Sequence, residues 1–169
     1  MLAPSASVFH VVPLTEAHCQ DICTWSYPTP YDIYNWHPWE IMLAGQDEFA
    51  DERLRDEQYR AVVNEEGGLW GFAQLFPIAG VTRIGLGMRP DLCGQGHGVA
   101  FVRAIAAEAK RSKPSNEIDL EVLAWNIRAY RTYQQAGFVQ TDTYTKKTPT
   151  GLTTFYCMVW KPHRNTPPL

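Results

Sequence analysis

Three glycines, Gly94, Gly96 and Gly98, separate an apolar, strand-like run that ends at Pro90 from a helical pattern that is clean from Val99 onward. This junction constrains the fold more than any other stretch. The spacing predicts a strand over 82–88, a helix over 96–112 and a second strand over 118–123. A strand, a crossover helix and a strand in one sheet must place the two strands parallel. Ligands of such sheets bind beyond the C-terminal ends of the strands, where the glycine loop and residues 123–126 would lie. Glycines there let a ligand approach the backbone, since no Cβ stands in the way. The free N–H groups of the helix then favour an anion. The segment therefore reads as a seat for a phosphate or pyrophosphate, with an ordinary glycine loop before a helix as the bland alternative. It is not a P-loop, because no Gly-Lys-Ser/Thr follows, and Gly94-x-Gly96-x-Gly98 lacks the G-x-G-x-x-G spacing of a dinucleotide fingerprint.

The remaining pattern extends this unit into an α+β chain. Residues 8–13 read as a strand, and Thr15 as the N-cap of a helix running to about Trp25. Prolines 28, 30 and 38 forbid a long helix through the aromatic stretch that follows. Residues 41–57 are acidic and read as helical in part. Residues 58–64, 68–78 and 82–88 read as three antiparallel strands, with a turn at 65–68. On the helix after the glycine loop, Val99, Val102, Ile105, Ala106 and Ala109 share one apolar face. Residues 127–136 read as a helix with Gly137 as its C-cap, and 138–147 with 152–161 as a hairpin. The reading is a mixed sheet of about seven strands with helices on both faces. It is taken as a single domain over 1–169, with a loose tail at 162–169.

Charge and cysteine usage narrow the partners. A net charge of −3 and a pI near 5.9 argue against nucleic acid and acidic membranes as partners. No apolar run is long enough for a membrane span, and the start lacks the basic and apolar regions of a secretory signal. Four scattered cysteines in such a chain read as reduced thiols in a cytoplasmic protein. Cys19 and Cys23, one helical turn apart beside His18, read as small apolar positions, and no metal site is expected.

A second motif lies downstream: Asn126-x-x-Ala129-x-x-x-Tyr133-x-x-x-Gly137-Phe138, preceded by Leu120-Glu121-Val122. Together with Cys93-x-x-Gly96-x-Gly98, it resembles the GNAT superfamily of acyl-CoA-dependent N-acyltransferases, and the element order matches over roughly residues 8–161. The Leu-Glu-Val segment with Asn-x-x-Ala is similar to the ribosomal-protein alanine N-acetyltransferases. The resemblance implies acetyl-CoA as co-substrate. Its pyrophosphate would be held by the main-chain N–H groups of Cys93, Gly94, Gln95, Gly96, His97, Gly98 and Val99. The backbone of Leu86 and Met88 would pair with its pantetheine arm, and Asn126 would contact that arm while also capping its helix. Tyr133 would protonate the leaving thiolate. Cys93 departs from the family pattern, which has a basic or amide residue there, so weaker or rearranged phosphate contact is implied.

The chemistry sets further requirements. Acetyl transfer needs a neutral amine: a lysine amine costs about 4.6 kcal/mol to deprotonate at pH 7, and an α-amine about 1.4 kcal/mol. A positioned base helps the former more. Glu121 is the best candidate base, with strand bracing by Glu121 and proton removal by water as the alternatives. A strand N–H near Met88 is the simplest donor to the oxyanion. The aromatic stretch, with Trp25, Tyr27, Tyr31, Tyr34 and Trp36 around Asp32, suits a cationic acceptor, Trp25, Tyr31 and Tyr34 above all; core packing or a homodimer surface is the competing use. The expected activity is direct acetyl transfer to a small-molecule or peptide amine. A CoA-binding sensor without catalysis is the alternative.

Overall fold

A computed structural model describes residues 7–162. Seven strands hydrogen-bond in the order β1-β2-β3-β4-β5-β7-β6, a mixed sheet accompanied by five α-helices. The chain divides into two compact units: Met1–Leu75 with Leu86–His97, and Phe76–Gly85 with Gly98–Leu169.

The first unit begins with β1 (Phe9–Pro13), antiparallel to β2 (Tyr59–Asn64) from Phe9↔Asn64 to Pro13↔Arg60. β3 (Leu69–Ile78) pairs antiparallel on the other edge of β2, with a bulge at Val62/Val63. Thr15 caps α1 (Glu16–Ile22) as its sequence suggests. Its side chain accepts from the His18 N–H, and His18 Nδ1 accepts in return from the Thr15 N–H at 3.1 Å. The helix stops at Ile22, not at Trp25. Thr24 and Trp25 close i→i−3 backbone bonds, and the Thr24 hydroxyl donates to the Asp21 carbonyl at 2.6 Å. A helical last turn is thereby lost, and Trp25 enters the core.

The acidic 41–57 segment is two short helices, α2 (Trp39–Gly45) and α3 (Glu52–Gln58), separated by a 3₁₀ turn at Glu48–Ala50. Gln46 and Glu48 take left-handed φ of 52° and 48°, which breaks the helix and turns Phe49 and Ala50 inward. Phe49 anchors an aromatic core, with ring centroids 4.6 Å from Trp36, 5.6 Å from Tyr59 and 6.4 Å from Phe72. Edge-to-face contacts of this kind add to the large area each ring buries. The Tyr59 hydroxyl is held by Glu48 at 2.5 Å.

The second unit holds the crossover. β4 (Val81–Met88) and β5 (Glu117–Leu123) are parallel from Val81↔Glu117 to Arg83↔Asp119, as the strand–helix–strand spacing requires. The connecting helix α4 (Gly98–Ser112) buries Phe101, Val102, Ile105, Ala106 and Ala109 and packs on β5 and α5. It begins two residues later than expected, because Gly96 holds a φ of 84° that no helix accommodates. α5 (Ile127–Ala136) ends at Gly137 with φ 107°, the left-handed C-cap. β6 (Phe138–Thr148) and β7 (Gly151–Trp160) form the hairpin, and β7 inserts antiparallel between β5 and β6.

Candidate active site

In the first unit the end of β4 and the loop after it are tied down at every step. Arg89 donates its backbone N–H to the Trp70 carbonyl at 2.8 Å, its Nη1 to the Leu69 carbonyl at 3.1 Å and its Nε to Asp91 at 2.7 Å. A 3₁₀ turn at Pro90–Leu92 follows, and Gln95 Nε2 donates to the Asp91 carbonyl at 2.7 Å. Cys93 turns its thiol back onto the carbonyls of Met88 and Arg89, at 3.7 and 3.6 Å. The Met88 carbonyl also accepts from the Tyr27 hydroxyl at 2.6 Å. His97 lies edge-on to Trp70 at 4.9 Å and bonds Ser7 through Nδ1. Leu86 and Met88 are half-buried on β4. Gly94 and Gly96 adopt φ of 73° and 84°, and a Cβ on either would meet no atom of the described residues within 4 Å. They are glycine for conformation, and the space above them is open.

Gly98 differs in kind. Its backbone is ordinary, but a Cβ there would come within 3.0 Å of Thr132 Cγ2 on α5. It lets α4 and α5 approach closely. Within this second unit Val99 is half-buried in the first turn of α4. Asn126, buried, caps α5 by accepting from the Ala129 N–H at 3.2 Å. Half-buried Tyr133 lies on α5 with its ring edge-on to Phe138 at 6.2 Å.

The second unit also gathers a charged cluster on β4, β5 and β6. Arg83 grips both oxygens of Asp119, at 3.0 and 2.9 Å, and reaches Glu121 Oε1 at 2.7 Å. The Tyr144 hydroxyl donates to Glu121 Oε2 at 2.5 Å, and Lys146 Nζ approaches the same oxygen at 2.5 Å. Burial opposes ionisation of Glu121, but the hydrogen bonds from Lys146 and Tyr144 and the Arg83 charge outweigh it, and its pKa falls below the ordinary value. Burial and the Glu121 bond push the Tyr144 phenol up, so it remains a donor. Chiefly its hydrogen bonds to Asp119 raise Arg83. Such a cluster suits holding a carboxylate ionised and presenting it to a cation.

Sequence reasoning selected Glu121 but missed Arg83, Tyr144 and Lys146, whose only signal was their alternation on strands. It also missed Tyr27 as the brace of β4. Of the aromatic acceptor candidates, Trp25 is 8% exposed and lies in the core, 6.5 Å from Phe72. Tyr31 is half-buried and Tyr34 exposed, on a 3₁₀ turn at Tyr31–Tyr34. Burial lifts the Cys19 thiol to about 12 and that of Cys23 to about 11, so both are protonated at neutral pH. Among the described residues no helix is long and apolar enough to cross a membrane.

A parallel strand–loop–helix–strand unit with left-handed glycines before the helix, in a seven-stranded mixed sheet, is the α+β fold class that the motifs suggested. Residues 19–138 match the acetyltransferase (GNAT) family. The chain belongs to that family and is an acyltransferase. No curated protein sequence matches it. Among solved structures it is similar to a spermidine N-acetyltransferase SpeG chimera from Vibrio cholerae and hSSAT, with 14% identity, TM-score 0.70, and 92% of this chain and 96% of that one covered. The dodecameric spermidine N-acetyltransferase from Vibrio cholerae in an intermediate state gives 14% identity and TM-score 0.68, covering 94% and 96%. A GNAT-family acetyltransferase from Bacillus anthracis gives 15% identity and TM-score 0.58, covering 68% and 72%. At these identities the likeness concerns the fold.

Proposed function

We propose that this protein is an N-acetyltransferase that moves an acetyl group from acetyl-CoA directly to a primary amine of a small molecule or peptide. The observation that carries the reading is the 93–99 segment. Its residues include no acid, the preceding carboxylate, Asp91, is engaged by Arg89, and among the described residues no atom lies within 4 Å of a Cβ at Gly94 or Gly96. Successive main-chain N–H groups there run into the first turn of a 15-residue helix, a donor set that fits a diphosphate. Cys93 supplies no cationic or amide group; its thiol braces the loop, so phosphate contact falls to the backbone.

Bound there, acetyl-CoA supplies the activated acyl group as a thioester. Residues Gly94 to Val99 would hold its diphosphate, the Cys93 N–H being already given to the Pro90 carbonyl at 3.3 Å, and the β4 backbone at Leu86 and Met88 with Asn126 would hold the pantetheine arm. The N–H of Met88 is the proposed oxyanion donor. The bonds from Tyr27 and Cys93 to its carbonyl fix the backbone there, and a preorganised donor is worth more than a mobile one. Glu121, kept ionised, draws the proton from the acceptor ammonium, directly or through water. Tyr133 gives a proton to the departing sulfur. Tyr31 and Tyr34 are the proposed acceptor wall, with Trp25 supporting them from the core.

The test is a panel of amines and peptides incubated with acetyl-CoA and followed by thiol release. Spermidine N-acetyltransferases share the fold, so polyamines head the panel. Release that requires both partners is the expected result. Tight acetyl-CoA binding by calorimetry with no release from any amine would instead identify a CoA-binding sensor, the reading that the Cys93 departure favours.

A further inference from the structure

We infer that Glu121, Tyr144 and Phe155 form a seat for the primary alkylammonium end of the acceptor, and that the protein's own Lys146 sits in it as an internal competitor. Calling the guest an acceptor rests on the transferase reading; the seat itself rests on geometry. Lys146 Nζ lies 2.5 Å from Glu121 Oε2, 5.4 Å from the centre of the Tyr144 ring and 5.0 Å from that of Phe155. The two rings are stacked, 6.5 Å apart and 22° from parallel. A carboxylate beside aromatic rings is a general receptor for an ammonium.

The two partners differ in exposure. The Glu121 side chain is 15% exposed and that of Lys146 48%. The receptor is built into the sheet, and its tenant reaches in from outside. Removing Lys146 would not strand the carboxylate, because Arg83 and Tyr144 still hold one oxygen each. Arg83 is itself pinned by both oxygens of Asp119, whereas Lys146 makes one ion pair with a half-exposed side chain. Such a pair is weak, and a long side chain gains rotamer freedom on leaving it. The geometry also selects the guest. A quaternary ammonium has no N–H for Oε2, and a guanidinium seeks two oxygens where Arg83 already takes one. The fitting class is a primary ammonium on an alkyl chain.

An internal tenant lowers a guest's apparent affinity by a factor equal to the fraction of time the seat is empty. Lys146→Ala removes Cγ, Cδ, Cε and Nζ, the atoms of n-propylamine. Full-length protein is titrated with n-propylammonium, without acetyl-CoA, by two-dimensional NMR. A seat filled nine-tenths of the time predicts binding about tenfold tighter in Lys146→Ala than in the unchanged protein. Tetramethylammonium should not bind, and adding Glu121→Gln should abolish the gain. Lys146→Gln gives the same direction should the alanine variant fold poorly. Equal affinity with and without Lys146, or equal binding of tetramethylammonium, overturns the proposal. Tighter propylammonium binding in a protein that releases no thiol would uphold the seat and sink the transferase reading; thiol release with unchanged amine affinity would do the reverse.

Discussion

In the loop of residues 89–97 side chains are spent on the protein itself. Arg89, Cys93 and Gln95 bond back onto carbonyls or Asp91, and Gly94 and Gly96 have none. What such a loop has to offer a ligand is main chain. The Arg83–Glu121 cluster is the converse. Its strand backbones pair in ladders, Asp119–Leu123 with Phe155–Val159 and Tyr144–Lys146 with Thr153–Phe155, and its chemistry is carried by side chains. The contrast teaches where substitutions act. Changing a residue in the loop alters binding through conformation, whereas changing one in the cluster alters charge, and with it proton transfer and the stability that paired charges lend.

The largest effect that would sharpen this contrast belongs to Tyr133. Tyr133→Phe should lower turnover about a hundredfold, the usual scale for losing a general acid, while calorimetry finds acetyl-CoA affinity unchanged. Full activity at every pH would remove Tyr133 from the chemistry. Next comes Asp119→Ala, which takes from Arg83 its two-oxygen partner in a site where the aspartate is 9% exposed. A loss of about 2 kcal/mol in denaturant unfolding is expected; a change within error would show that the cluster is not structural. Gly96→Ala forces an L-residue to φ 84° and should cost about 1 kcal/mol of stability. It should also weaken acetyl-CoA binding while leaving turnover at saturation near that of the unchanged protein. If it slowed turnover alone, the division between loop and cluster would break.

The smallest effect is in pH dependence. The Glu121 pKa is lowered in the folded state, so its contribution to stability is present above the unfolded value near 4.5 and is lost as pH falls through the folded value. Melting temperatures of Glu121→Gln should therefore decline less between pH 5 and pH 3 than those of the unchanged protein. Parallel curves would mean that Glu121 is no better ionised in the fold than in the open chain.

Legibility followed the range of the interaction. Thr15, Asn126 and Gly137 act within four residues of themselves, and all three caps could be read from residue type. The spacing of 82–88, 96–112 and 118–123 disclosed the parallel crossover, because only a helix of that length bridges two such strands. The end of α1 was misplaced by three residues, since Trp25 answers to Phe72, which is distant in the chain. Gly98 looked like its two neighbours and proved to serve helix packing against Thr132.

What the sequence determined by itself is the set of local elements and the glycine loop, because caps, turns and periodicity are decided by neighbours along the chain. The tertiary structure alone decided what surrounds Glu121. Tyr144 is 23 residues away and on a strand that does not pair with β5. It reaches Glu121 because β7 inserts between β5 and β6 with a register that aligns Glu121 with Cys157 and Tyr144 with Phe155. Strand order and register arise from the packing of the whole sheet, and alternation along one strand carries no record of which charges will meet across it.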